Sequence, residues 1–174
     1  GIWMSYSNRV QSTVNPVLDV MQTLPSFVYL IPVVMLLGIG RVPGLIAVVI
    51  YAVPPMIRFT NLGIRMVSAE LLEAADAYGS ARWQKLLQVQ LPLALPTIMA
   101  GVNQTIMLAL SMVVVASMIG VQGLGQPVLR AITNQYFAMG LLNGLAIVVI
   151  AILFDRLSQA YGQRLQKHRE MQHG

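Results

Sequence analysis

The sequence predicts an all-α, polytopic transmembrane helical bundle, and three observations carry that expectation. The 174 residues are 56% hydrophobic and only 10% charged, with a mean hydropathy of +0.69, whereas soluble domains carry about 25% charged residues. The charges leave long gaps: 21 uncharged residues between Asp19 and Arg41, 44 between Lys85 and Arg130, and 24 between Arg130 and Asp155. A spanning helix needs roughly 20 apolar residues, so each gap can hold a span. Between the apolar stretches, most of the charge is gathered into one polar island, residues 61–91.

The elements follow in order. Gly1 to Tyr6 reads as the apolar end of an earlier span; Gly1 is not an initiator residue and no signal-peptide pattern precedes it, so an N-terminal portion is expected to be missing. Residues 7–23, with Arg9 and Asp19, read as a short loop or interfacial helix. Leu24 to Gly40 is the first complete span, kinked by Pro25 and Pro32. Gly38 to Gly44 makes a tight turn. Leu45 to Thr60 returns, bent at Pro54-Pro55; the 16 uncharged residues between Arg41 and Arg58 are few, but flanking Arg side chains can snorkel. Pro92 to Ile119 is the third span. Gly120 to Phe137 is a Gly-punctuated loop with room for a short re-entrant helix, Met139 to Phe154 is the last span, and 155–174 is a charged tail.

Basic residues set the orientation. A cytoplasmic island puts Arg9, Arg58, Arg65, Arg82, Lys85, Arg156, Arg164, Lys167 and Arg169 inside and leaves Arg41 and Arg130 outside, nine of the eleven against two. The opposite orientation reverses the positive-inside bias. The net charge of +5 is therefore membrane-edge charge rather than a nucleic-acid footprint. Without cysteine, disulfides, thiol chemistry and Cys-ligated zinc are excluded, and both histidines, His168 and His173, lie in the tail. No residue reads as catalytic or metal-ligating, and no cofactor is expected.

The island reads as a helix, a corner and a second helix. Ser68 is a candidate N-cap, and Glu70 sits where a helix N-terminus favours negative charge. Leu71, Leu72, Ala75 and Tyr78 share an apolar face, opposite Glu70, Glu73 and Asp76. Gly79 suits a left-handed C′ position. Ser80 caps the second helix, in which Trp83, Leu86 and Leu87 follow helical spacing, and Pro92 opens the next span. Such a hairpin either packs on its own spans or docks into a partner's groove, with Tyr78 and Trp83 as rigid aromatic anchors.

The spacing Glu73-Ala74-Ala75, three residues, Gly79, nine residues, Val89-x-Leu91-Pro92 resembles the EAA loop of ABC importer permeases, with Val89 in place of Ile. The stretches Met21 to Pro32, Gly38 to Gly44, Leu91 to Thr105 and Gly123-Leu124-Gly125 resemble the glycine betaine/proline betaine permeases; choline/carnitine-type permeases share the loop and the Gly-Leu-Gly but differ at Phe27 to Pro32. The resemblance implies one ABC transmembrane permease domain over 1–174, of the type I importer (MetI-like) fold, with 61–91 as its cytoplasmic coupling loop. It implies a multi-pass bacterial inner-membrane protein with a cytoplasmic C-terminus. It also implies these partners: cytoplasmic ABC ATPase subunits, a second permease subunit forming a homodimer, a substrate-binding protein and the lipid bilayer. On that basis Glu73, Ala74, Ala75 and Gly79 form the coupling element, with Tyr78, Arg82 and Trp83 contacting the ATPase. The cargo implied is a quaternary-ammonium compatible solute.

Other features are weighed against simpler roles. Gly120-x-x-Gly123-x-Gly125 lacks the Lys-Ser/Thr and the preceding strand of a phosphate loop. Asn103-Gln104-Thr105 matches a glycosylation sequon but falls in a span. Asn103, Met107 and Ser111 recur every four residues, and either line the solute path or bond between helices. Gly140-x-x-x-Gly144 is a close-packing signal, more simply satisfied inside this chain than at a subunit interface. Asp155-Arg156 reads as a local boundary pair. A secondary transporter would predict membrane-buried titratable residues, which the spans as drawn lack, and a membrane enzyme would predict inward His, Asp or Glu clusters.

Overall fold

The computed structural model describes residues 1–170, with side chains described through Gly162. Among these residues there is no strand. The helices are α1 (Ile2–Tyr6), α2 (Asn8–Thr23), α3 (Ser26–Leu37), α4 (Arg41–Arg65), α5 (Ala69–Ala77), α6 (Arg82–Gln84), α7 (Leu91–Ser117), α8 (Gly125–Thr133) and α9 (Phe137–Glu170), with a π-helical segment, Lys85–Gln90, joining α6 to α7.

Among the described residues, three helices are long and apolar enough to cross a membrane: Arg41–Arg65, the continuous Arg82–Ser117 and Phe137–Gly162. The first span drawn from sequence is different. α3 has only 12 residues, about 18 Å at 1.5 Å per residue, short of the roughly 30 Å hydrocarbon core. It forms a broken pair with α2, bent by 93° at Leu24-Pro25. Pro25 opens α3 and bars α2 from continuing, because the residue before a proline is pushed out of helical geometry: Leu24 has φ −69 and ψ 135. Pro32, which was expected to kink the span, lies inside an unbroken α3.

Two other boundaries move. α4 runs through Arg58 to Arg65, so Arg58 belongs to a span rather than its edge. Pro92 does not start a new helix. Its ring clashes with the carbonyl four residues back, and the wider π turn before it accommodates that clash, with Leu91 N–H bonding Leu86 C=O. The island's second helix and the third span are therefore one 36-residue rod. The charged tail continues α9 to Glu170; residues 171–174 and the side chains of Arg164, Lys167, His168 and Arg169 lie outside the described residues.

The core is two clusters on the α4–α7 seam. Leu30, Ala47, Met112 and Ala116 bring α3, α4 and α7 together. Ile64, Leu86 and Ala94 tie the end of α4 to the π segment and the start of α7. Gly101 permits the close approach between them: a Cβ there would lie 2.7 Å from Phe59 Cβ. A Cβ at Gly140 would lie 3.2 Å from the Cβ of Ala131 on α8, while one at Gly144 would meet nothing within 4 Å, so of the pair only Gly140 serves a close contact, and that with the short helix.

Candidate functional site

The island projects as α5, a corner and the start of the long rod. α5 ends in a Schellman motif: Ser80 N–H bonds Ala75 C=O at 3.0 Å and Gly79 N–H bonds Asp76 C=O at 2.9 Å. Gly79 takes φ +75 to close it, a left-handed geometry that glycine adopts freely. Ser68 occupies the N-cap position of α5 without a side-chain hydrogen bond. The second helix is capped at Ala81, not Ser80: the Gln84 side chain accepts from Ala81 N–H at 2.9 Å. Lys85 forms an ion pair with Asp76 across the corner. The pair links α5 to the π segment of the rod.

The apolar face expected on α5 divides. Ala75 is buried and Leu72 half-buried, whereas Leu71 is exposed and Tyr78 is 91% exposed. Of the three residues spaced along the start of the rod, Leu86 is buried, Trp83 is 67% exposed and Leu87 is exposed. Glu73, Ala74 and Arg82 are exposed as well. Met66, Leu71, Tyr78, Trp83 and Leu87 thus leave the hairpin with large uncovered apolar side chains, the kind of exposure that marks a partner surface. Leu86 faces the other way into the Ile64–Ala94 cluster, so a displacement of the hairpin reaches the spans through a packed contact.

A second feature lies at membrane depth. A cavity of about 590 Å³ between α2, α4 and α7 is lined by Gln22, Tyr51, Arg58, Phe59, Gln104 and Leu108, with Met21 and Pro55. Arg58 pairs there with Asp19, so the chain does hold titratable groups at a span, contrary to the sequence expectation. The reason is α2: its 93° bend against α3 carries Asp19 back against α4. Asn103, Met107 and Ser111 do not line this cavity. Met107 and Ser111 join Leu93, Pro96, Ala100 and Gln104 in an exposed stripe along α7 that the chain itself leaves uncovered. Asn103 is half-buried beside it, its Oδ1 without a described partner, and the Ser111 hydroxyl donates to Met107 C=O at 3.0 Å. Sequence reading missed Tyr51, Arg58, Phe59 and Gln104. Their spacing along α4 and α7 is visible, but which helix faces which is not.

Asp155 does not pair with Arg156. Its Oδ2 accepts from Gln159 Nε2 at 2.8 Å, because helix neighbours in sequence point apart and residues four apart meet.

Residues 1–167 match the family described as binding-protein-dependent transport system inner membrane component. The chain belongs to that family. It is 60% identical over 164 residues to the glycine betaine/carnitine transport permease protein GbuB of Listeria monocytogenes, covering 94% of this chain and 58% of that protein. It is 56% identical over 163 residues to the glycine betaine/proline betaine transport system permease protein ProW of Escherichia coli, covering 94% of this chain and 46% of ProW. The chain thus spans about half the length of these curated relatives. Its fold superposes on an inward-facing structure of the MetNI methionine ABC transporter with a TM-score of 0.70 at 21% identity, covering 93% of this chain and 76% of that one. The MetI-like permease fold and a multi-pass inner-membrane protein follow from the family and these helices.

Proposed function

We propose that this permease domain is the transmembrane part of an ATP-driven importer for glycine betaine and related quaternary-ammonium solutes. It works by alternating access, coupled to ATPase subunits on separate chains. The observation that carries the reading is the exposed Tyr78–Trp83 corner, closed by Gly79 and joined to the spans through buried Leu86. Glu73, Ala74, Ala75 and Gly79 form the coupling element, and Tyr78, Arg82 and Trp83 touch the ATPase. The relatives' named cargoes, glycine betaine with carnitine or proline betaine, supply the solute class.

The island and C-terminus face the cytoplasm, which keeps eight of the eleven basic residues inside, with Arg58 within α4. A second copy of the permease faces the α7 stripe, and the solute passes between the two along Asn103, Met107 and Ser111. A substrate-binding protein delivers the solute from the outer side, where Arg41 Nη2 donates to Gln122 Oε1 at 3.1 Å.

The test is uptake by the full-length permease, its ATPase and its binding protein in proteoliposomes, with glycine betaine, proline betaine, choline and carnitine in competition. ATP-dependent glycine betaine uptake is expected, and Glu73→Lys is expected to abolish it while membrane insertion persists. Uptake without ATP, or normal uptake in Glu73→Lys, refutes the coupling reading.

A further inference from the structure

We propose that the cavity between α2, α4 and α7 is a membrane-depth binding site for a solute carrying both a quaternary ammonium and a carboxylate. Its depth is fixed by the helices: Tyr51 is eleventh of the 25 residues of α4 and Gln104 fourteenth of the 27 of α7. Polar groups at this depth are expensive and mark paths rather than decoration. The volume of about 590 Å³ is ample for a small zwitterion with some of its water.

The lining sorts by chemistry. The rings of Tyr51 and Phe59, about two turns apart on α4, both line it. Tyr51 is held edge-on by Tyr29, centroids 5.8 Å apart at 63°, and the Tyr29 hydroxyl is itself anchored on Met21 C=O. Fixed aromatic faces attract a quaternary ammonium, which offers no N–H and can be recognised only by its diffuse charge and apolar surface. Arg58 stands beside Phe59 and about two turns from Tyr51, and one of its Nη atoms binds Asp19. Arg58 lines the cavity with its side chain 36% exposed, so the guanidinium edge that Asp19 does not hold is open to a carboxylate. The neutral amides of Gln22 and Gln104 complete the polar side.

The charge balance decides the class. Asp19 offsets Arg58, so the cavity is close to neutral and suits a solute of zero net charge. A free cation would meet the guanidinium, and a free anion would gain nothing from the rings. The site therefore favours a zwitterion over choline, which has no carboxylate. This rests on the solute class proposed above and moves its recognition in the membrane from the Asn103–Ser111 strip to the neighbouring Gln104 side of α7.

The test uses the full-length permease assembled with its ATPase and binding protein. In proteoliposomes at saturating glycine betaine, Tyr51→Leu should lower uptake by about tenfold, and Tyr51→Phe, which keeps the ring, should restore it to within about threefold of wild type. The 174 residues contain no cysteine, so Gln104→Cys in a cysteine-free background gives a single thiol for a trimethylammonium-bearing methanethiosulfonate. Glycine betaine should slow that labelling at least about threefold, and glycine, which lacks the quaternary group, should not. Wild-type uptake together with unaffected Tyr51→Leu and Phe59→Leu, and no protection at position 104, overturns the site and leaves the importer reading standing. Failure of the wild-type complex to import any quaternary-ammonium solute overturns the importer reading, and the site with it.

Discussion

The Tyr6 hydroxyl donates a 2.6 Å hydrogen bond to Gln90 Oε1, 84 residues along the chain. Gln90 is buried and closes the π-helical segment. At the end of α4, Arg65 donates to Met4 C=O at 2.9 Å and to Asn8 Oδ1 at 2.8 Å. The N-terminal helix is thereby fastened to both α4 and α7 where the coupling hairpin leaves them, and motion of the hairpin must work against these ties.

Tyr6→Phe removes that donor and leaves the Gln90 carbonyl unpaired. A loss of about 1–2 kcal/mol is expected, as for other buried acceptors left without a partner. A double-mutant cycle with Gln90→Leu, read by thermal unfolding in detergent, should give a combined loss smaller than the sum of the two single changes. Additive losses would show that the two residues do not act together.

Gly79 is constrained by conformation and not by space, since a Cβ there would meet nothing within 4 Å while φ stays at +75. Gly79→Ala should cost about 1–2 kcal/mol in hairpin stability, the penalty of a left-handed backbone for an L side chain. Gly79→Asn should cost less, because Asn tolerates that region. Gly79→Pro cannot adopt a positive φ and should abolish co-purification of the ATPase while membrane insertion persists. Equal behaviour of the Ala and Asn variants would argue against a backbone origin.

Gly101 is the opposite case. Gly101→Ala drives a methyl against Phe59 on a tightly packed seam, and an overpacking loss of about 1–3 kcal/mol is expected. Gly144→Ala, with no neighbour within 4 Å, serves as the comparison and should leave the melting temperature nearly unchanged. A similar shift in both would mean that α4 and α7 do not approach as described.

The Asp76–Lys85 pair spans the corner with Asp76 largely solvated, its side chain 58% exposed. Its stability contribution should be small, about 0–1 kcal/mol and reduced by salt. The larger effect is expected in geometry. Asp76→Lys should reduce transport per ATP hydrolysed, and the charge swap with Lys85→Asp should restore it. Failure of the swap to restore coupling would assign Asp76 to the partner surface instead.

Several features of the candidate site were legible in the residues. Helical spacing and one glycine specify the α5 corner, because a Schellman motif is made by consecutive residues. The island's solvent-facing apolar residues were legible less well. Tyr78 and Leu71 sit at positions suited to an inward face, yet only Ala75 and Leu72 turn toward the protein. The width of a buried stripe depends on what packs against it, which spacing alone does not contain.

The sequence by itself determined that this chain is a helical membrane protein with one polar hairpin, since charge gaps and hydropathy set what lipid can cover and local backbone chemistry sets where glycine must turn. Only the tertiary structure decided that Pro92 lies inside a continuous rod, that α2 folds back by 93° to bring Asp19 onto Arg58, and that Gln104 rather than Asn103 borders the cavity. Those outcomes depend on contacts between residues distant in the chain. A helix in lipid can present any of its apolar sides to a neighbour, and packing at Gly101 and the Arg58–Asp19 pair select among them.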